Sequence, residues 1–316
     1  MRILVVGAGG IGGYFGARLL AAGRDVTFLV RPRRAEQLRR RGLVVISPLG
    51  NLELPTPALV SAGAIKSQYD LIILSCKSYD LAGSIEDFAA AMGPNSFVLP
   101  LLNGLRHMDI LDERFGAQRV LGGLARISST LDQEGRIHQL GTYNALVFGA
   151  RKADPRFNMN EVAAAFKEPG FEALLSQDIL QEMWEKWVFI AAAAASTCLM
   201  RAAIGDIIAA EARDIPAGLL QECSAIAANN GFAPREPAIR TGLAVLTTPG
   251  SPFTASMLRD MEQGGRIEAD HIVGDLLKRA SGVPATPLLV TAYAHLRAYE
   301  ARRRRETQTP AGTSDL

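Results

Sequence analysis

Residues Gly7, Ala8, Gly9, Gly10, Ile11 and Gly12 follow the apolar run Arg2–Val6 with the spacing Gly-x-Gly-x-x-Gly. Each glycine answers a demand of a phosphate-binding turn. Gly7 permits the tight turn, Gly9 lets the main chain approach a pyrophosphate, and Gly12 lets the next helix lie close on the strand. The helix N-terminus then offers N–H groups and the positive end of its dipole to an anion. This strand–turn–helix context predicts a dinucleotide site at residues 7–12. The following strand, Asp25–Val30, ends on Arg31, with Arg33 and Arg34 just beyond. An acid at that place holds a ribose 2′-hydroxyl, whereas an arginine suits a 2′-phosphate. Asp25 opens the strand instead of closing it, so the expected cofactor is NADPH.

Hydride transfer to a carbonyl further needs a proton donor for the developing alkoxide and an anchor for the rest of the substrate. Cys76-Lys77-Ser78 and Asn103-Gly104 each follow an apolar run, where parallel sheets bind their ligands. The Asn103 amide can bond a carboxamide or a substrate oxygen, but an ordinary turn explains Asn103-Gly104 equally well. Lys77 also fits a solvated loop. Lys186 interrupts the apolar stretch Met183–Ile190, among Trp184, Trp187 and Phe189. It is either a snorkelling stem or a partly desolvated ammonium with a lowered pKa, the state a general acid requires. Glu268 and Asp270 fit the first turn of a helix, and Ser256 fits a helix N-cap. Spacing alone leaves both readings of each residue open.

The elements that must position these residues fall into two patterns. In the first half, short runs of Val, Ile and Leu alternate with helical segments. Arg2–Val6, Asp25–Val30, Leu43–Ser47, Asp70–Ser75, Ser96–Leu102 and Arg119–Gly122 read as strands. Gly12–Ala22, Arg33–Arg40, Tyr79–Met92 and His107–Phe115 read as helices. Unbroken apolar strands separated by helices imply a parallel sheet covered on both faces. Ala125–Leu131, Gly135–Gln139 and Tyr143–Phe148 read as strands extending that sheet in antiparallel fashion. Beyond Glu168-Pro169-Gly170 the chain reads as helical almost throughout: Ser176–Leu199, Ile207–Asn229, Pro237–Leu246, Ser256–Glu262, Ile267–Ser281 and Pro287–Arg303. The expected fold is therefore an α/β Rossmann-type dinucleotide-binding domain over residues 1–168, then an all-α substrate domain over 169–304. A cleft between them is expected to take the substrate. Residues 305–316 read as a disordered tail.

Composition narrows the class. The chain has 316 residues, 48% hydrophobic and 21% charged, ordinary for a globular enzyme of two domains. A net charge of +2 is too small to imply nucleic acid as a partner, and Arg302–Arg305 reads as a solvated helix end. Cys76, Cys198 and Cys223 are scattered without metal-ligand spacing, which fits a reducing cytoplasm. No metal is expected. The apolar stretch Trp187–Met200 is too short to span a bilayer; it suits a buried helix, or a homodimer interface.

Together these pieces resemble the ketopantoate reductases (2-dehydropantoate 2-reductases) of the 6-phosphogluconate-dehydrogenase-like superfamily, from Met1 to about Tyr299. The resemblance is carried by Gly7–Gly16, Val30-Arg31, Ser75–Lys77, Leu102–Gly104, Trp184–Lys186, and the block Ala255–Asp260 leading to Arg266–Asp270. It implies that Lys186 is the general acid and Glu268 its charged partner. It also implies that Asn103 lies near nicotinamide and substrate, that Lys77 touches the cofactor and that Ser256 donates to the substrate carboxylate. Asn103 and Glu268 count among the implied cofactor contacts as well. The implied activity is reduction of 2-dehydropantoate to pantoate by NADPH, feeding pantothenate and coenzyme A synthesis. One departure stands out: Ile190 and Ala194 occupy positions where the family commonly carries asparagines, and Ile267 stands where it often has Thr. Alkyl in place of amide weakens recognition of a substrate hydroxyl and makes room for apolar bulk. A reductase of a more apolar 2-keto acid, and a non-catalytic NADP-binding regulatory protein, are the alternatives.

Overall fold

The computed structural model describes residues 1–152 and 159–308. Two compact units divide the chain: Met1–Leu102 with Arg106–Met183, and Asn103–Leu105 with Trp184 onward.

The first unit contains, in chain order, β1 (Arg2–Val6), α1 (Gly10–Ala21), β2 (Asp25–Leu29), α2 (Pro32–Arg41), β3 (Leu43–Ile46), β4 (Leu52–Leu54), β5 (Ala58–Val60) and β6 (Tyr69–Leu74). It continues with α3 (Leu81–Phe88), β7 (Met92–Pro100), α4 (Arg106–Phe115), β8 (Gly122–Leu131), β9 (Ile137–Gly149), α5 (Met159–Ala165) and β10 (Glu172–Leu175). One sheet has the order β5-β2-β1-β6-β7, every pairing parallel. Counted within that sheet the order is 3-2-1-4-5, so the direction of winding reverses between β1 and β6, where such sheets hold ligands. Ile3, Leu4 and Val5 of β1 are wholly buried, as a central parallel strand covered on both faces requires.

The expected extension of this sheet is not what forms. β3, β4, β8, β9 and β10 build a separate mixed sheet, in which β9 pairs with β3, β8 and β10. Gly135–Gln139, from Ile137 on, and Tyr143–Phe148 are parts of the one long strand β9. Of Arg119–Gly122, Val120 forms an isolated bridge with Val98 and Gly122 opens β8. Helix α1 explains the second sheet. It is buried continuously from Gly12 to Leu19, and a helix buried on all sides needs cover from two directions. A Cβ at Gly16 would lie 2.5 Å from the Phe28 ring of the parallel sheet. A Cβ at Gly13 would lie 2.5 Å from Ile137 of the mixed sheet.

The second unit is helical, as expected. It takes most of α6 (Ile179–Met200), then α7 (Ile204–Ala209), α8 (Asp214–Asn229), α9 (Glu236–Leu246), α10 (Ser256–Glu262), α11 (Asp275–Lys278) and α12 (Pro287–Gln308). A change of composition near residue 168 suggested the boundary; β10 and the first turn of α6 nevertheless pack with the first unit, which ends at Met183. Ile207–Asn229 is two helices, because the chain turns at Glu211 with φ 58°. Ile267–Ser281 is a π-helical turn at Asp270–Gly274 followed by the short α11. Residues 305–308 continue α12, contrary to a tail beginning at 305; residues 309–316 of that expected tail lie outside the described residues. The Ala191–Cys198 stretch is fully buried within the chain itself, so it is core. Burial pushes the Cys198 thiol up to about 12 and raises that of Cys223 as well, so neither is a reactive thiolate. Among the described residues no helix is long and apolar enough to cross a membrane, and no cluster of His, Cys, Asp or Glu could hold a metal ion.

Candidate active site

In the first unit the glycine turn leaves β1 at Val6. Gly7 has φ +94°, a left-handed conformation that favours glycine, and its N–H donates to the Leu29 carbonyl of β2 (3.0 Å). At Gly12 a Cβ would sit 2.0 Å from Ser75 Oγ and 2.4 Å from the Gly7 carbonyl, so α1 closes onto β1 and β6 as the spacing implied. Gly9 is the N-cap of α1 with no side chain capping it, and its Cβ position meets nothing within 4 Å. That open space above uncapped backbone N–H groups is the cradle a diphosphate needs. Ala8 is buried and Ile11 half-buried. Beside Gly10 lies Ser129 of β8, whose Oγ is buried without a hydrogen-bond partner among the described residues. Local sequence signals could not mark Ser129, because the mixed sheet brings it there.

Arg31 caps α2 in extended conformation, with its side chain 65% exposed and Nη2 3.0 Å from Asp80 Oδ1. The hydrogen bond and charge of Asp80 raise the Arg31 pKa, with Asp87 adding to the field. Asp25 pairs in register with Arg2 at the opposite end of the sheet, 3.7 Å from its guanidinium, so it is no rival for the ribose position. Arg34 turns inward. It donates to the carbonyls of Ala8 (3.0 Å) and Gly135 (2.8 Å), and burial lowers its pKa. It therefore braces the glycine turn from behind. Lys77, half-buried, is the extended N-cap of a 3-10 turn at Ser78–Asp80 that follows β6.

The second unit contains Asn103, Lys186, Ser256 and Glu268. Its hub is the π turn. His271 and Ile272 donate their N–H groups to the Glu268 carbonyl at 3.2 and 2.9 Å. Gly104, at φ +76°, passes so near that a Cβ would lie 3.0 Å from the His271 carbonyl, which places the Asn103 loop against this turn. Trp187, next to Lys186 and 1% exposed, donates its indole N–H to the Ile272 carbonyl (2.8 Å). A π turn breaks the regular helical hydrogen-bond ladder and recurs at functional sites; here the tryptophan accounts for one of its carbonyls. Trp187 carried no distinct sequence signal beyond being apolar. Asn103, Lys186 and Glu268 are each half-buried.

Ser256 is the first helical residue of α10 and exposed, and Ala255 occupies the N-cap position. The N-cap reading of Ser256 is thus incorrect, and its hydroxyl is not committed to that role. Asp270 is a structural residue. Burial acts to raise its pKa, but hydrogen bonds from Tyr293 (2.7 Å) and Arg297 (2.9 Å) outweigh this and hold the carboxyl below its ordinary range. Ala194 is buried and Ile190 half-buried. Ser196 and Thr197 cannot replace the missing amides, since both hydroxyls are buried and donate to carbonyls one turn back, those of Ala192 and Ala193.

A parallel sheet in 3-2-1-4-5 order with an open glycine turn after its first strand, followed by a helical unit, is the architecture of Rossmann-type proteins. Family models described as "Ketopantoate reductase PanE/ApbA" and its C-terminal counterpart match residues 3–153 and 178–300. An oxidoreductase from Bacillus subtilis, YkpB, itself called uncharacterized, is 40% identical over 96% of this chain and 100% of its own. A 2-dehydropantoate 2-reductase from Pyrococcus horikoshii is 30% identical over 95% of this chain and 98% of its own. The crystal structure of 2-dehydropantoate 2-reductase from Methylococcus capsulatus superposes with a TM-score of 0.85 at 27% identity, covering 99% of this chain and 100% of that one. The chain belongs to the ketopantoate reductase family and, at that level, is an oxidoreductase.

Proposed function

We propose that this protein reduces 2-dehydropantoate to pantoate with NADPH. The observation that carries the reading is the convergence on one π turn of the segments bearing Asn103, Lys186 and Glu268, in a chain of this family. NADPH, when bound, supplies the hydride. The open cradle at Gly9, the uncapped first turn of α1 and the unpartnered Ser129 hydroxyl fit its pyrophosphate. Gly7, Ala8, Gly10, Ile11 and Gly12 shape that cradle, Arg31 meets the 2′-phosphate, and Lys77 is a further cofactor contact. In the helical unit the Lys186 ammonium gives its proton to the ketone oxygen as negative charge develops there. Glu268 keeps Lys186 charged until that transfer and touches the cofactor, Asn103 orients the reacting carbonyl and nicotinamide, and Ser256 donates to the substrate carboxylate. Function in the cytoplasm, without nucleic acid or membrane, belongs to the same proposal.

A second reading is favoured by Ile190 and Ala194, and by the internally bonded hydroxyls of Ser196 and Thr197. With no amide or free hydroxyl at these positions, the substrate would be a 2-keto acid with an alkyl group where ketopantoate carries its hydroxymethyl. A panel of 2-keto acids, followed by loss of NADPH absorbance, tests both. Highest kcat/KM with 2-dehydropantoate supports the first reading, and highest with 3,3-dimethyl-2-oxobutanoate the second. No turnover across the panel, with NADPH still bound, overturns both.

A further inference from the structure

The registers Val6↔Leu29 and Val6↔Leu74 set the C-terminal ends of β2, β1 and β6 side by side, with β1 in the middle. The glycine turn rises from β1. Arg31 follows β2, Asp80 follows β6, and the two meet at 3.0 Å. Their ion pair therefore links the two strands that flank the glycine turn. An arginine offered to a 2′-phosphate has no use for a carboxylate partner, and a carboxylate there repels the phosphate. Arg34 does not change this balance. Arg34 is spent on the Ala8 and Gly135 carbonyls, while Asp87 adds negative field at Arg31.

We infer that Asp80 is a selectivity residue for the dinucleotide, acting through Arg31: it holds the guanidinium in an ion pair that a 2′-phosphate must displace. The inference rests on the NADPH reading of Arg31 given above. Two consequences follow from the geometry. Binding of NADPH requires Arg31 to leave Asp80 or to share its donors, whereas NADH leaves the pair intact. Asp80 can also accept a hydrogen bond from a ribose 2′-hydroxyl, as acids near this strand do in NAD sites. Asp80 thus narrows the preference that Arg31 alone would create, and the protein discriminates between the two cofactors only modestly. A pair whose arginine is exposed contributes little to stability, and the Asp80 side chain makes no capping bond to α3. Its replacement therefore alters the ligand site without removing a helix cap.

The test is calorimetric titration of NADPH and NADH into the full-length protein, wild type, Asp80→Asn, Asp80→Glu and Arg31→Ala. Removing the competing carboxylate is expected to tighten NADPH about three- to tenfold, leaving NADH unchanged or slightly weaker. Asp80→Glu, which keeps the charge, should retain a ratio of the two affinities close to that of wild type. Arg31→Ala should weaken NADPH and leave NADH nearly unchanged. An Asp80→Asn protein whose NADPH-to-NADH ratio equals that of wild type overturns the inference; if Arg31→Ala still erases the NADPH preference, the cofactor reading survives alone. Wild-type protein that binds neither dinucleotide overturns both.

Discussion

Gly9 and Gly12 lie in one turn yet should fail in opposite ways when each becomes alanine. At Gly12 the added methyl would lie 2.0 Å from Ser75 Oγ and 2.4 Å from the Gly7 carbonyl. The serine can rotate, but the carbonyl cannot move without shifting β1 or α1. Overpacking of this kind costs about 3 kcal/mol at the upper end. Helix propensity returns about 1 kcal/mol of that, so Gly12→Ala should lose about 2 kcal/mol of stability. At Gly9 the methyl meets nothing within 4 Å, and φ is −85°, which any residue adopts. Alanine is a poorer N-cap than glycine, and the stability change should stay within about 1 kcal/mol. The methyl does fill the space a pyrophosphate would enter. Losing one charge-assisted hydrogen bond there, about 1.5–3 kcal/mol, weakens dinucleotide binding about ten- to a hundredfold. Urea denaturation measures the first quantity, and titration with NADPH the second. Gly9→Ala binding NADPH as tightly as wild type would refute the cradle. Gly12→Ala as stable as wild type would refute the packing argument.

Two further substitutions probe the helical unit. Trp187→Phe removes the donor to the buried Ile272 carbonyl; the unmatched carbonyl costs about 1–3 kcal/mol, measurable by denaturation. It should lower kcat more than it raises KM, because the lysine and the π turn lose their common anchor. Unchanged stability would show that this bond does not tie α6 to the turn. Ile190→Asn restores an amide at a half-buried position. It should raise kcat/KM for 2-dehydropantoate relative to 3,3-dimethyl-2-oxobutanoate about two- to tenfold, the worth of one hydrogen bond. An unchanged ratio would show that residue 190 does not meet the substrate.

What the amino-acid order revealed was mostly local. The strand–turn–helix around Gly7–Gly12 was legible because every demand on it comes from neighbours in sequence. The helical half was legible because its apolar positions repeat at helical spacing. The mixed sheet was not, since Val45 pairs with Ile137 and Ala145 with Glu172 across long intervals. An apolar strand carries no mark of which sheet it joins. The hint was present in Gly13 and Gly16, whose lack of side chains lets α1 be covered from both sides. The break at Glu211 was hidden because a positive φ there falls on a residue type that gives no turn signal. For the proposed site, the motifs bearing Lys186, Glu268, Asn103 and Ser256 were visible through the family resemblance, not through spacing alone. Asp80 and Trp187 were not, because their importance lies in partners, Arg31 and Ile272, that only the fold supplies.

The claim on which everything else depends is that Lys186 supplies the proton in a reaction whose hydride comes from a dinucleotide held elsewhere in the chain. Lys186→Ala tests it directly, with turnover of NADPH on the best 2-keto acid substrate measured beside the NADPH dissociation constant. Turnover is expected to fall about 10²- to 10⁴-fold, the usual contribution of a general acid, while the dissociation constant changes little. A Lys186→Ala protein that keeps wild-type turnover would contradict the assignment.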